Sequence, residues 1–256
     1  TGLLSHDEEY IRAWAIQLLC EDMAPGQMAF QRFVSMARKD PSPVVRLYLA
    51  AALQRIPKSW IWEIASGLLS WSDDREDHNI PNMIWFGIEP RVTDDPVRAL
   101  RIGSEGKIPL VTRFIARRAT AGQFLDAVVD ALVRTDSVPL RQLILEGLRD
   151  GLLGQRDLTA PKDWARLEPQ LLADESLRSL GLQVGQLFGS AKAGKAQLTE
   201  LSDPSTPMDR RISILEGFGQ DGFPPAFNAI FAALDDEHLR STALRSLAAY
   251  NHRGIA

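Results

Sequence analysis

Apolar residues return along this chain at the spacing of an amphipathic α-helix. In the first clear case the positions i, i+3, i+4, i+7 and i+8 are occupied by Ile11, Trp14, Ala15, Leu18 and Leu19. Such positions share one face of a helix. The same spacing recurs in segments 45–53, 125–133 and 140–148. Alternating runs bounded by hairpin turns are missing from the sequence. We therefore predict an all-α fold whose core includes these faces, Trp14 among them.

Short segments that carry Asp, Ser and Pro precede one apolar helix after another. The clearest are segments 40–43, 136–139 and 203–207. Asp or Ser can accept hydrogen bonds from the free amides at the start of a helix, and Pro fits the first turn. An arginine follows just inside each helix that we predict in this way. The series is Arg12, Arg46, Arg141, Arg178, Arg210 and Arg240.

The spacing of these arginines indicates a helical repeat. Outside the less regular stretch 46–141, successive arginines are 30 to 37 residues apart. Two helices in a period of this length are typical of a helical solenoid. We predict a HEAT-like α-α superhelix of antiparallel helix pairs that forms a single solenoid over residues 1–256. The glycine-rich, polar segment 151–163 is the best candidate for a joint between two halves.

Segment 40–46, with the sequence Asp-Pro-Ser-Pro-Val-Val-Arg, resembles the second helix of a HEAT repeat. In that family such Asp and Arg side chains form a ladder between neighbouring repeats. A simpler interpretation is that Asp40 caps its own helix and that Arg46 is solvated beside it. Both interpretations leave the predicted architecture unchanged.

Composition narrows the possible functions only slightly. A hydrophobic share of 45% excludes a mainly disordered chain, and the net charge of −4 argues against a main task of binding phosphate backbones. Cys20 is the only cysteine, so we expect a small buried hydrophobe rather than a reactive thiol or a metal cage. No apolar stretch approaches the roughly 18 residues of a membrane helix, so we expect no direct membrane insertion. The first residues lack the pattern of a signal peptide, and we expect a piece of a longer protein.

Five stretches of the first half occur in an order that resembles one known family. They are segments 12–16, 40–47, 77–81, 83–90 and 107–111. Over roughly residues 5–120 the chain resembles the HEAT-repeat segment of planctomycete-type membrane-bound dehydrogenases. In those proteins the segment lies between a sugar-dehydrogenase-like β-propeller and a C-terminal c-type cytochrome, the PVC-type haem-binding domain.

This resemblance implies a spacer or docking role within an exported, periplasmic or membrane-associated parent protein. The haem of the family is attached through Cys-x-x-Cys-His, and this chain has no such motif. A dehydrogenase activity would therefore belong to another part of the parent. The partners implied are a protein or the neighbouring domains of the same parent chain.

The acidic segment 73–78 and the aromatic segment that follows hold the most suggestive polar residues. We expect an acidic loop and then a short helix ended by Pro90. The acidic run does not match a calcium-loop spacing, and known catalytic and nucleotide-binding motifs are missing. We predict no catalytic, cofactor-binding or metal-binding residue. The candidate interaction patch is His78, Asn79, Trp85, Glu89, Arg113 and Arg117. Alternatively, His78 and Asn79 only hold the turn by hydrogen bonds to the backbone.

The predicted function is that of a non-enzymatic interaction scaffold, and nucleic acid is not an expected partner. Two alternatives remain. A HEAT-like DNA glycosylase would line a basic groove with Arg113, Arg117, Arg118, Arg134, Arg141 and Arg149. A HEAT-like lyase of the phycobilin type would use His78 with Glu89.

Overall fold

The computed structural model describes residues 2–155 and 158–250. Within them all regular structure is helical, which confirms the all-α prediction. The α-helices are α1 (Glu9–Leu19), α2 (Gln27–Lys39), α3 (Pro43–Ala52), α4 (Lys58–Leu68), α5 (Ile80–Val92), α6 (Pro96–Glu105), α7 (Pro109–Ala121), α8 (Leu125–Val133), α9 (Val138–Leu152), α10 (Trp164–Ala173), α11 (Glu175–Leu187), α12 (Ala191–Ser202), α13 (Met208–Asp221), α14 (Phe227–Ala232) and α15 (Arg240–Leu247). Short 3-10 helices cover Gly2–Ser5, Ser72–Asp74, Pro224–Ala226 and Ala233–Asp235.

Several helices begin as the Asp, Ser and Pro segments predict. The side-chain oxygen of Ser42 accepts a hydrogen bond from the Val45 amide, and Pro43 lies in the first turn of α3. Asp174 caps α11 in the same way, through the amides of Ser176 and Leu177. These caps satisfy amides that a helix leaves without a partner at its start.

The helix that we expected to end at Pro90 continues to Val92. Proline has no amide hydrogen to donate to the carbonyl one turn earlier, and its ring crowds that carbonyl. Pro90 lies in the last turn of α5 on the exposed side, whereas Val92 is fully buried. The packing of Val92 therefore holds the end of α5 in a helical conformation, and the predicted end at Pro90 is wrong.

The described chain divides into two compact units, the first ending at Gly151 and the second beginning at Leu152. The division falls at the edge of segment 151–163, where the sequence suggested a joint. In the second unit, α13 packs on α15 and also contacts α11 and α12. Its core includes Leu215, Phe218 and Ile230, all fully buried.

The helices of the first unit form two rows. In the first row α1 contacts α3, α3 contacts α5, and α5 contacts α7. In the second row α2 contacts α4, α4 contacts α6, and α6 contacts α8. From α2 to α8, each helix also contacts the next one along the chain. The C-terminal half of α9 packs on α7 at Gly147 and Gly151, which extends the first row.

Buried ion pairs connect neighbouring members of the first row. Arg12 of α1 donates to both carboxylate oxygens of Asp40, at 2.8 Å each, just ahead of α3. Arg46 of α3 repeats this with Asp74 ahead of α5, at 2.5 and 2.7 Å. The guanidinium of Arg46 also stacks 4.1 Å from the centroid of the Trp71 ring. The interpretation of Arg46 as a solvated side chain is therefore wrong.

Trp14 and Leu18 are not in the core, although their spacing predicts it. The buried side chains of α1 are Ala13, Ala15 and Ile16, whereas Trp14 is 55% exposed. Apolar residues occupy a wide part of the surface of α1. The rest of the unit covers only some of that surface. The prediction for Trp14 is wrong because periodicity gives the direction of a side chain, not the presence of a neighbour there.

Candidate functional site

An aromatic groove of about 510 Å³ lies between α5 and α7. Its lining is Trp85, Phe86, Glu89, Phe114, Arg117, Arg118 and Ala121. We refer to these residues as the aromatic groove. The parallel course of α5 and α7 places one turn of each helix opposite the other, so that their outward side chains meet.

The floor of the aromatic groove is a pair of rings. Trp85 and Phe114 are half-buried, and their ring centroids lie 5.3 Å apart with a 52° angle between the planes. Phe86 stands at the edge and is 52% exposed. Aromatic side chains exposed beside a concavity are typical of binding surfaces, because their burial against a partner removes a large apolar area from water.

The charges of the aromatic groove leave one cation without a counter-charge. The Nε atom of Arg118 lies 2.6 Å from Oε1 of Glu89, so α7 and α5 share an ion pair. Arg117 is exposed and forms no ion pair within the described residues 2–155 and 158–250. A guanidinium next to an aromatic floor suits a ligand with an apolar anchor and a carboxylate.

A second concavity, of about 470 Å³, lies between α1, α3 and the start of α5. We call it the Tyr48 pocket. Its lining is Gln17, Cys20, Leu47, Tyr48, Ala51, Ala52, Gln54, Arg55, Asn79 and Met83. Cys20 is almost fully buried, and this burial raises the pKa of its thiol to about 11 against the opposite effect of Arg55. At neutral pH the side chain is therefore a protonated, weakly nucleophilic thiol.

Alkylation of Cys20 by iodoacetamide at pH 8 is expected to be at least about a hundredfold slower in the folded chain than in urea. The thiolate is the reacting form, and burial moves its pKa from an ordinary value of 9.0 to about 11. The folded-state rate should rise steadily as the pH approaches 11. Mass spectrometry of the alkylated chain measures both rates, and equal rates in the two states would contradict the buried thiol.

Three of the six predicted patch residues meet in the aromatic groove: Trp85, Glu89 and Arg117. The other three are elsewhere. Asn79 lies in the Tyr48 pocket, and His78 is exposed ahead of α5. Arg113 turns toward α9, where its Nη2 atom lies 2.6 Å from Asp150.

His78 lies ahead of α5, whereas Glu89 lies near the end of that helix. A helix rises 1.5 Å per residue, so about 14 Å of the axis already separates the first residue of α5, Ile80, from Glu89. His78 and Glu89 do not converge on one ligand as the lyase hypothesis requires. The turn ahead of α5 is held by Asp77, whose Oδ1 accepts hydrogen bonds from the Ile80 and Asn79 amides at 2.8 Å each. The Ile80 amide is the largest cause that lowers the pKa of Asp77.

Sequence reasoning missed Phe86 and Phe114 as members of the site. Aromatic residues at helical spacing are more often core residues, so neither drew notice by itself. The packing of α5 on α7 brings Phe114 against Trp85 and leaves Phe86 and Arg117 exposed in the same groove. This arrangement becomes visible only when the two helices are known to be neighbours.

The acidic segment 73–78 does not converge on a cation. Asp74 is buried against Arg46, and Asp77 binds backbone amides. Among the described residues there is no group of three or more His, Cys, Asp or Glu side chains placed to hold a metal ion. Within the same residues no helix is long and apolar enough to span a membrane.

No known family model matches this chain, and no curated protein matches it. The site must therefore be interpreted from its own geometry.

Proposed function

We propose that this chain is a non-catalytic helical-repeat module that binds a partner protein in the aromatic groove. The observation that carries this proposal is the combination of exposed Phe86, the Trp85–Phe114 floor and the uncompensated charge of Arg117. A partner segment with an apolar anchor and an acidic group has the matching chemistry.

We propose further that the helix pairs form a HEAT-like superhelix. The contacts between every second helix of the first unit support this proposal, as do the ion pairs Arg12–Asp40 and Arg46–Asp74 between successive members of the first row. In such a superhelix each repeat contacts only its neighbours, which leaves a long surface for partners.

The resemblance over residues 5–120 suggests the partner. We propose that the chain belongs to a larger exported protein of the dehydrogenase–cytochrome type, and that it docks the neighbouring domains of that parent. The aromatic groove lies within the part of the chain that carries the resemblance. No reaction is assigned to the chain itself.

We expect a calorimetric titration of the chain with separately produced flanking domains of the parent to show saturable binding. Phe86→Asp should weaken it by about tenfold or more, since it places a charge where an apolar anchor is expected to bind. Arg117→Glu should weaken it as well and reduce its dependence on salt. Phe231→Asp is the matched control, because Phe231 is 50% exposed in the second unit.

Equal affinities for Phe86→Asp and Phe231→Asp would contradict the aromatic groove as the site. Absence of saturable binding at high micromolar concentrations would contradict the flanking domains as partners.

The DNA-binding and lyase alternatives have less support. Four of the six arginines proposed for a basic groove are paired with carboxylates: Arg113, Arg118, Arg141 and Arg149. Paired arginines contribute little to the release of counterions from a nucleic acid. Salt-sensitive retention on a DNA column would revive the first alternative. The separation of His78 from Glu89 along α5 removes the residue pair on which the second rested.

A further inference from the structure

Each helix of the first row uses one edge to contact the helix before it. On α5 this edge includes Gly87, where a Cβ atom would run into the side chain of Leu53 at the end of α3. On α9 it includes Gly151, where a Cβ atom would lie 2.6 Å from that of Thr120 on α7. We call this the leading edge of a helix.

The leading edge of α1 follows from a superposition of α1 on α3 by their arginines. Arg12 and Arg46 are equivalent, because the Nη1 atom of each donates to two carbonyls in the loop ahead of its own helix. Both also bind the carboxylate that precedes the next helix of the row. This register makes each α1 residue equivalent to the α3 residue 34 positions further along the chain: Ile11 to Val45, Trp14 to Tyr48, and Leu18 to Ala52.

Two of these positions are buried in α3 and the third, Tyr48, is half-buried, whereas all three are exposed in α1. Ala52 is 5% exposed and Val45 is fully buried, whereas Leu18 is 56% exposed and Ile11 is also exposed. The leading edge of α1 is therefore an apolar helix-packing surface that continues the interfaces of the row. Burial of three large apolar side chains would supply a substantial part of the free energy of binding.

We propose that the leading edge of α1, formed by Ile11, Trp14 and Leu18, binds an amphipathic α-helix of a partner polypeptide, parallel to α1 and in the register by which α1 packs on α3. Gly87 and Gly151 let α5 and α9 approach the helix before them closely, whereas the leading edge of α1 carries the large side chains of Trp14 and Leu18. The partner helix therefore has small side chains on the side that meets them, so that the two backbones can approach.

Charge specifies the orientation of the partner helix. In the row, the arginine of each earlier helix binds the acidic residue in the loop ahead of the later one, as in Arg12–Asp40 and Arg46–Asp74. In the loop ahead of α1 the position equivalent to Asp40 is His6, and the next residue, Asp7, is exposed with a carboxylate that forms no ion pair in the part of the chain that the structure describes. An arginine near the N-terminal end of the partner helix meets this carboxylate.

The partner helix is not the α1 helix of a second copy of the chain. In each copy the arginine of α1 is already bound to Asp40, and the edge of α1 beside it already packs on α3. The edge of the partner helix that corresponds to the α3-facing edge of α1 is therefore still exposed before binding.

The probe is a synthetic peptide of residues 5–20 with Trp14→Phe and Cys20→Ser. This peptide carries Arg12 and the edge by which α1 packs on α3. Trp14 is the most exposed of the six tryptophans, so its fluorescence reports on the leading edge of α1. We expect the emission of the full chain to shift to shorter wavelength as the peptide binds. The shift should disappear in Trp14→Phe.

Leu18→Glu in the full chain should weaken peptide binding by at least about tenfold. Asp7→Asn, or Arg12→Glu in the peptide, should weaken it about two- to fivefold, the size expected for an exposed ion pair. Leu244→Glu, at a residue 58% exposed in the second unit, should leave the affinity unchanged. Circular dichroism of each variant confirms that the fold is retained.

A short peptide is only marginally helical in water, so a second measurement uses a tandem duplication of residues 5–38 placed directly before Ser5. This adds one helix pair in the register of the row. The original Trp14 should then become protected from acrylamide quenching, and Leu18→Glu should restore quenching. Absence of a Trp14 response both to the peptide and to the duplication would overturn the proposal.

Discussion

Asp74→Ala is expected to lower the free energy of unfolding of the first unit by about 3–5 kcal/mol. Asp74 and Arg46 are each only 3% exposed, and two hydrogen bonds join them. Removal of the carboxylate leaves the guanidinium in the interior with only the carbonyls of Asp40 and Pro41 as acceptors. A buried charge without its counter-charge is strongly unfavourable because the interior solvates it poorly.

Urea denaturation followed by circular dichroism measures the loss. The control is Asp94→Ala, which removes a carboxylate that is 59% exposed and paired with Arg91. An exposed pair of this kind contributes about 0–1 kcal/mol. The double variant Arg46→Met, Asp74→Leu should recover much of the loss, because it removes both charges and keeps apolar volume. A loss for Asp74→Ala no larger than for Asp94→Ala would show that the ladder does not stabilise the unit.

Gly147→Ala should destabilise the first unit by about 1–3 kcal/mol, the usual range for overpacking. A Cβ atom at this position would lie 2.5 Å from the Arg113 carbonyl oxygen and 2.9 Å from the Arg117 amide nitrogen. Both contacts are with the backbone of α7, which cannot move aside as a flexible side chain can. α9 must therefore shift from α7, and the shift strains the helix that carries Arg117 into the aromatic groove.

The matched control is Gly217→Ala in α13. There the nearest heavy atom to the new Cβ would be 3.9 Å away, on Gln186. Alanine lowers the conformational entropy of the unfolded chain, so this variant should stabilise the second unit by about 0.5–1 kcal/mol. The two substitutions are chemically identical, and urea denaturation should give opposite signs. A gain in stability for Gly147→Ala would contradict the close contact between α7 and α9.

The candidate site was predicted in part because three of its seven residues lie in an irregular stretch of the repeat. Trp85 and Glu89 stand out in the sequence because the stretch 73–90 interrupts the regular spacing of the arginines. Arg117 was included as a companion from the next helix. Phe114 was not, because its contact with Trp85 joins residues of two helices whose contact no local pattern reveals.

Arg113 shows why the rest could not be predicted. Its partner Asp150 is 37 positions away and lies at the end of α9, not ahead of it. The two earlier arginines each bind a carboxylate 28 positions away in the loop before the next helix. A change in loop length shifts the register of the row, and the ion pair then forms with whichever carboxylate comes within reach.

The sequence by itself determined the helical class and the places where several helices begin, and it singled out Arg12 and Arg46. These features depend on local chemistry, because periodicity, capping and turn residues act within a few positions. Only the tertiary structure decided that Trp14 and Leu18 are exposed, that Phe86 and Phe114 meet Arg117, and that Arg113 is neutralised by Asp150. The reason is physical: a helix sets the direction of each side chain, but which neighbour lies in that direction depends on how the helices pack.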